Sequence, residues 1–391
     1  CEVTQISLVS QVWQGIKWEH DLVIFRPKDA KPGDKMLLLN SGGKAGGKEI
    51  PYGLLLTSKI KAPCAILLGI PNQPLFEGKK EDNLIAETFV RFLDTKDENW
   101  PLLFPMAKSL VKAMDALQEV TRKEWQQETK GFIVTGASKR GWTTWLTAAS
   151  DPRVCAIAPM VIDTLNFDRQ LPHQKEAFGG YSDQIKPYTE RGLVPLPNTE
   201  TARKLWRMVD PFVYRDRYTM PKLVVCGNND RYWSTDALNL YWDDLPGPKW
   251  ISYSPNAGHS LEEKSADGSK SAMRAVNNVC AFVRHQILGT AMPEISWKHE
   301  DADGKCRLSV HGSPGAVSAQ VWQASAPSRD FREARWASRK EEIKDGTVSV
   351  TVEHPATGFT AFYADIGYQI EDIPYFLCTQ LRLASHSPDA P

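Results

Sequence analysis

The run from Gly131 to Gly141, G-F-I-V-T-G-A-S-K-R-G, constrains the fold of this chain more than any other segment. An apolar strand passes directly into a glycine-flanked serine and then into a helix, the local plan of a nucleophile elbow. A serine hydroxyl titrates far above neutrality, so using it as a nucleophile takes an exposed position on a sharp turn, a neighbouring base and amide donors for a developing oxyanion. Gly136 stands two residues before Ser138, where a side chain would collide with such a turn. The usual pattern is G-x-S-x-G. Here the second glycine comes one residue late, at Gly141, and Arg140 occupies its place.

Acid and histidine signals follow in a telling order. Lys222 to Gly227 (K-L-V-V-C-G) reads as a short buried parallel strand, and the loop after it carries Asp230. Trp250 to Tyr253 reads as another, and S-P-N-A-G-H-S after it carries His259. Each of Ser138, Asp230 and His259 thus lies just beyond its own strand, in the chain order of an α/β-hydrolase rather than of chymotrypsin or subtilisin. Loops at the carboxyl edge of an open parallel sheet converge, so the three can meet. Asp236 is a competing acid in the same loop, although its position before A-L-N-L-Y-W suits a helix cap.

The rest of the chain fits around this frame. Ile6 to Trp13 and Lys17 to Phe25 read as antiparallel strands, Met36 to Leu39 and Cys64 to Leu68 as buried strands. Glycines follow Met36 to Leu39, so Gly42 or Gly43 is expected to supply one oxyanion-hole amide, with the Lys139 N–H as the second. Asn72 and Gln73, in G-I-P-N-Q-P, are expected to contact substrate. Met106, Leu110, Met114, Leu117 and Val120 recur at helical spacing and predict a helix against the sheet. Cys155 to Val161 is a further strand with Asp163 past its end. About sixty residues then precede Lys222, too many for an ordinary crossover, and their aromatic residues predict a cap over about 164–220. Met273, Val276, Cys280, Val283 and Ile287 predict a last helix, closed by Gly289.

From Pro293 the texture changes to six short strands, Ile295 to His299, Arg307 to His311, Val317 to Trp322, Val348 to Val352, Phe359 to Ala364 and Phe376 to Leu383. These predict an immunoglobulin-like β-sandwich over 293–391, after an α/β-hydrolase domain over 1–292. Its expected role is packing on the first domain or binding a protein or glycan partner.

With 391 residues, 42% hydrophobic, and 47 basic against 47 acidic residues, the chain has no charge excess that would favour nucleic acid. No apolar run reaches membrane-spanning length. The seven cysteines lack zinc-like spacing, so no metal and no cofactor is expected; Cys64, Cys155, Cys226 and Cys280 read as small buried hydrophobes. Cys1 in place of Met suggests upstream processing, and the expectation is a secreted or periplasmic protein, with lipidation at Cys1 as one form of it.

The motifs P-N-Q-P (Pro71 to Pro74), T-G-A-S-K-R-G-W (Thr135 to Trp142) and N-A-G-H-S (Asn256 to Ser260) resemble those of the PhoPQ-activated pathogenicity-related protein family. The resemblance implies an exported bacterial α/β-hydrolase-like protein with Ser138 and His259 at the site and Asp230 as acid. It implies no substrate. The elbow is also similar to the G-C-S-R-x-G of glucuronoyl esterases, with Ala137 and Lys139 standing for Cys and Arg. The expected reaction is ester hydrolysis on a small-molecule or peptide substrate, the alternatives being a peptidase with the same triad or a non-catalytic secreted binding protein. Arg140 and Trp233 complete the expected substrate contacts, Lys139 and Arg140 pointing to an anionic substrate, to solvent or to Asp163.

Overall fold

The structure is a computed structural model that describes residues 1–385 apart from 30–32, 45, 266, 303 and 313. Residues 386–391, the end of the expected C-terminal unit, lie outside the described residues, as do parts of P-K-D-A-K-P-G-D (27–34), D-A-D-G (301–304) and G-S-P-G (312–315), whose residue types mark them as turns in the sequence.

The chain opens with the hairpin β1 (Glu2–Trp13) and β2 (Ile16–Arg26), then β3 (Lys35–Asn40), α1 (Glu49–Ile60), β4 (Cys64–Leu67), α2 (Glu81–Thr95), α3 (Leu103–Glu124) and β5 (Gly131–Ala137). Next come α4 (Lys139–Ser150), β6 (Val154–Met160), α5 (Phe167–Phe178), α6 (Lys186–Thr189), α7 (Glu200–Val209), β7 (Lys222–Gly227) and β8 (Lys249–Ser254). A small hairpin, β9 (Glu263–Lys264) and β10 (Lys270–Ser271), leads to α8 (Met273–Leu288). The C-terminal strands are β11 (Ile295–Ala302), β12 (Lys305–Gly312), β13 (Ser318–Ala326), β14 (Ala337–Glu341), β15 (Thr347–Glu353), β16 (Phe359–Ile370), β17 (Ile373–Cys378) and β18 (Arg382–Ser385).

The first eight strands lie side by side in the order β1-β2-β4-β3-β5-β6-β7-β8, parallel from β4 onward. This is the α/β-hydrolase fold. Its strands read as continuous apolar runs because both faces are covered. Met36 and Leu38 of β3, with Phe132 and Val134 of β5, enter the core under α3 and α4. Leu37, Leu39 and Ile133 face the other way, into the core with α1 and α8. Successive side chains alternate across the sheet, so each strand ties both layers together. The helix expected from Met106 onward starts at Leu103, with Pro105 inside its first turn, because proline is tolerated where the amides lack helical acceptors.

The C-terminal strands form two antiparallel sheets. One, β11-β12-β15, packs Cys306, Leu308 and Val350 into the core shared with Phe362, Ile366 and Tyr375. The other continues the central sheet, since β17 pairs with β8 at Cys378 and Ile251. Two details depart from the sequence reading. Phe376 to Leu383 is divided between β17 and β18, because Thr379 leaves the ladder to bond Ala364 through both its amide (3.0 Å) and its hydroxyl (3.1 Å). Strand β14 (A-S-R-K-E) escaped notice because it is an edge strand without an apolar face.

Helix α8 ties the two regions together. The Asn278 carbonyl accepts from Phe376 N at 2.9 Å while its amide donates to Ser252 Oγ at 2.6 Å. Arg274 pairs with Asp365 of β16, whose side chain is 0% exposed. Removing one partner of such a pair leaves a charge stranded in low dielectric. An Arg274→Met substitution is expected to cost about 3–5 kcal/mol in urea unfolding, whereas Lys17→Met, whose partner Glu19 is equally exposed, is expected to cost under about 1 kcal/mol.

Candidate functional site

Ser138 sits between β5 and α4 with φ 59° and ψ −130°, a backbone that L-residues adopt only under constraint. The surroundings supply that constraint. A Cβ on Gly136 would collide with the Asn40 side chain and lie 2.8 Å from Arg140 O. A Cβ on Gly141 would lie 2.5 Å from Ile162 Cγ2 and 3.0 Å from the carbonyls of Gly136 and Met160. The late glycine therefore serves the close approach of helix to strand. Buried Asn40 donates to Thr135 O (2.9 Å), Arg140 O (3.2 Å) and Thr144 Oγ1 (3.2 Å), fastening both arms of the turn to β3.

Asp230 and His259 project from the loops after β7 and β8. Those loops interlock at Gly227, where a Cβ would lie 2.5 Å from Gly258 O, and through Asn229 N to Ala257 O at 3.0 Å. His259 Nδ1 is 2.7 Å from Asp230 Oδ2. The other carboxylate oxygen accepts from Tyr232 N at 2.8 Å, and the Tyr232 ring lies over the imidazole at 4.3 Å between centroids. Nε2 of His259 is buried without a hydrogen-bond partner among the described residues, and His259 and Ser138 line the same cleft. Asp236, the competing acid, is engaged by His173 of α5 at 2.8 Å.

A compact charge cluster flanks the serine. Lys139, buried to 7% exposure, places Nζ 3.0 Å from Glu81 and 3.2 Å from Asp82. Arg140 makes a fork to both oxygens of Glu81 at 2.6 and 2.7 Å and donates to Ile70 O at 2.6 Å. Burial opposes the charge of Glu81, but the Arg140 guanidinium and Lys139 ammonium outweigh it and hold the carboxyl down to about 2. Asp82 accepts from Tyr188 at 3.1 Å and Tyr232 at 3.2 Å. Burial, then the Asp82 carboxylate, push both phenols up, so they remain donors.

This cluster corrects several expectations. Lys139 and Arg140 point neither to solvent nor to Asp163, because nearer carboxylates neutralise them. Arg140 is outside the cleft lining, and so are Asn72, tied to Lys17 O at 3.3 Å, and Gln73, which brackets Glu81 by accepting from its amide at 2.8 Å and donating to its carboxylate at 2.5 Å. Gly42 is also outside that lining; its missing side chain makes room for the Arg140 guanidinium, as that of Gly43 does for Glu49.

The cleft itself is narrow and aromatic. Trp142, Trp233 and Ile162 face Phe167, Tyr188 and Trp206 from the segment between β6 and β7, around a space of about 40 Å³. Trp142 is anchored by Nε1 to Val209 O at 2.6 Å, while Trp145, the other tryptophan of α4, is fully buried.

Behind Asp230 lies a second carboxyl, Asp163, at the end of β6. It accepts from Tyr241 at 2.5 Å and lies 3.6 Å from Cys226 Sγ. Burial pushes its carboxyl up to about 6, the Tyr241 and Cys226 donors oppose that, and the Asp230 charge adds to it. The folded state thus holds this proton more tightly than the unfolded chain, so the contribution of Asp163 to stability falls as pH rises from about 4 through 6. Asp163→Asn, which keeps a neutral side chain, is expected to flatten that slope by up to about 3 kcal/mol in denaturant unfolding across this range.

Sequence reasoning missed Glu81, Asp82 and Tyr232, and had Tyr188 only as one of the aromatic residues of the expected cap. Among the missed residues Tyr232 alone carried a signal, two residues after the acid; the others come from positions whose approach depends on tertiary packing. Among solved structures the chain is similar to Est1E from Butyrivibrio proteoclasticus, at 13% identity over 73% of this chain and 98% of that one, TM-score 0.44. It is also similar to an acylaminoacyl peptidase from Pyrococcus horikoshii, at 16% identity over 74% of this chain and 42% of that one, TM-score 0.47. Autocrine proliferation repressor protein A of Dictyostelium discoideum is 31% identical over 93% of this chain and 80% of its own length. The family model of the PhoPQ-activated pathogenicity-related proteins matches residues 1–332. With that match spanning most of its length, the chain belongs to the PhoPQ-activated pathogenicity-related protein family.

Proposed function

We propose that this protein is a serine hydrolase that cleaves a carboxylic ester through an acyl-enzyme, with Ser138 as nucleophile, His259 as general base and acid, and Asp230 as the acid that orients the imidazole. The observation that carries the reading is the Asp230–His259 hydrogen bond at 2.7 Å, in one cleft with a serine held at φ 59°. In this reading Nε2 removes the Ser138 proton as Oγ attacks the carbonyl, and Asp230 stabilises the imidazolium. The Lys139 N–H, the first amide of α4 and without a helical acceptor, holds the oxyanion. His259 then returns the proton to the leaving alkoxide, and water releases the acyl group by the same steps.

Neutralised cations and aromatic walls support a small, uncharged acyl group in the cleft. Lys139 and Arg140, read in the sequence as pointing to an anionic substrate, thus leave no charge for an anion at the acyl side. We also propose export, on family membership, and a division into units at 1–292 and 293–391, within which about 164–220 act as cap.

A fluorophosphonate probe is expected to label Ser138, and Ser138→Ala is expected to lose labelling and at least about 10³-fold of kcat on short-chain p-nitrophenyl esters. Retained turnover in that variant would remove Ser138 from this role. Tyr232→Ala, which frees both the imidazole and the Asp230 loop, is expected to lower kcat about 10²-fold with KM little changed; Tyr232→Phe, which keeps the ring, is expected to lose far less. A second reading, a binding or signalling protein on the same scaffold, gains interest from the name of the Dictyostelium relative. It expects no labelling of folded protein. Faster release of aminoacyl amides than of esters would favour the peptidase alternative.

A further inference from the structure

We propose that the groove on the outer side of the two loops carrying Asp230 and His259 binds an acidic saccharide chain, the alcohol part of the ester. The groove has a volume of about 720 Å³ and is walled by Gly258 and Ser260 beside His259, by Asn229 and Arg231 beside Asp230, and by Trp322 and Trp336 of the C-terminal region. Its far wall is fixed to those loops. Asn256 exchanges two hydrogen bonds with the Trp336 backbone at 2.8 and 2.9 Å, and Asn229 donates to Phe331 O at 2.9 Å and Ala334 O at 2.7 Å.

The charge lining this groove is unbalanced. Five cations border it, Arg231, Lys264, Lys270, Arg332 and Arg335, against the carboxylates of Glu262 and Glu333. Arg231 pairs with Glu333 and Arg332 with Asp330 at 2.6 Å. Lys264, Lys270 and Arg335 have no ion-pair partner among the described residues. Moreover Lys264 and Lys270 face each other directly across the β9–β10 ladder, an arrangement that costs stability through like-charge repulsion. An anion seated between them relieves that repulsion. Two tethered cations and Arg335 at one groove therefore select a ligand with several negative charges.

The remaining lining points to sugar. Ser260 and Ser338 offer hydroxyls, and the half-buried Trp322 ring is held by its Nε1 donating to Asp365 at 3.1 Å. A rigid aromatic face among hydroxyl-binding groups suits a pyranose ring. The position suits a leaving group. In the proposed reaction the imidazole protonates the departing oxygen, so that part of the ester lies on the His259 side. The assignment of this ligand as leaving group rests on the hydrolase reading; its binding does not.

The test uses Ser138→Ala protein, so that binding is measured without turnover and its outcome is independent of whether Ser138 is the nucleophile. Calorimetric titration is expected to detect a galacturonate hexamer or a chondroitin sulfate hexamer, the two arms telling carboxylate from sulfate. The affinity should fall about tenfold from low to physiological salt. It should fall at least as far when Lys264→Glu, Lys270→Glu and Arg335→Glu are combined in protein whose thermal midpoint is unchanged. Failure of both acidic hexamers to bind, equal binding of a neutral cellohexaose, or tighter binding of hexaglutamate would each overturn the proposal. Should the triple variant not fold, the salt dependence and the neutral control still decide.

Discussion

The turn at Ser138 is the constraint on which the rest of the site depends. A non-glycine residue at φ 59° and ψ −130° costs on the order of 1–3 kcal/mol, and only surroundings that leave no alternative keep it there. Strand β5 and helix α4 are therefore brought so close that Gly136 and Gly141 admit no side chain. Buried Asn40 then donates to both arms at once. The consequence is a hydroxyl presented at the sheet edge by rigid elements, while the imidazole arrives on a loop. Precision on one partner reduces what the other must supply.

The charges beside the turn obey a related logic. Cations on the first turn of α4 oppose its dipole, so Lys139 and Arg140 would weaken the helix if left alone. Glu81 and Asp82, at the start of α2, cancel that cost, and each is used twice. Glu81 binds both cations, and Asp82 passes from Lys139 to the tyrosines that bracket the cleft. Tyr232 closes the circuit by covering the imidazole and bonding Asp230 through its amide. The Ser138 turn, the Asp230 loop and the segment between β6 and β7 thus share one electrostatic framework, with no free cation against Ser138 among the described residues.

What could be read from sequence follows from where the governing forces are local. The parallel strands announced themselves because burial on both faces makes them apolar throughout, and α8 because one stripe of it is apolar and Gly289 ends it at φ 67°. The positions of Ser138, Asp230 and His259 beyond their strands are likewise local. Asn72, Gln73, Arg140 and Gly42 were read as facing a ligand, since polar or glycine-rich loops at a sheet edge usually do. Instead the structure engages Gln73 and Arg140 in holding Glu81, an association across 59 positions between Glu81 and Arg140 that no periodicity records. Strand β14 was illegible for a different reason: hydrogen bonding alone defines an exposed polar edge.

The C-terminal strands then have a physical reason to be attached where they are. A loop such as Asn256 to Ser260 has few apolar contacts of its own, and mobility in it would move the imidazole directly. Asn229 and Asn256 instead donate to backbone carbonyls of the 331–336 segment, turning two loops into one layer backed by a sheet. That sheet is itself anchored through Arg274 and Asn278 of α8, which also lies under β8. Rigidity therefore travels from the hydrolase core, through the added strands, and back to the loops that carry Asp230 and His259. The same arrangement leaves a groove along the outside of those loops, so one set of contacts both stiffens the imidazole and shapes the surface beside it.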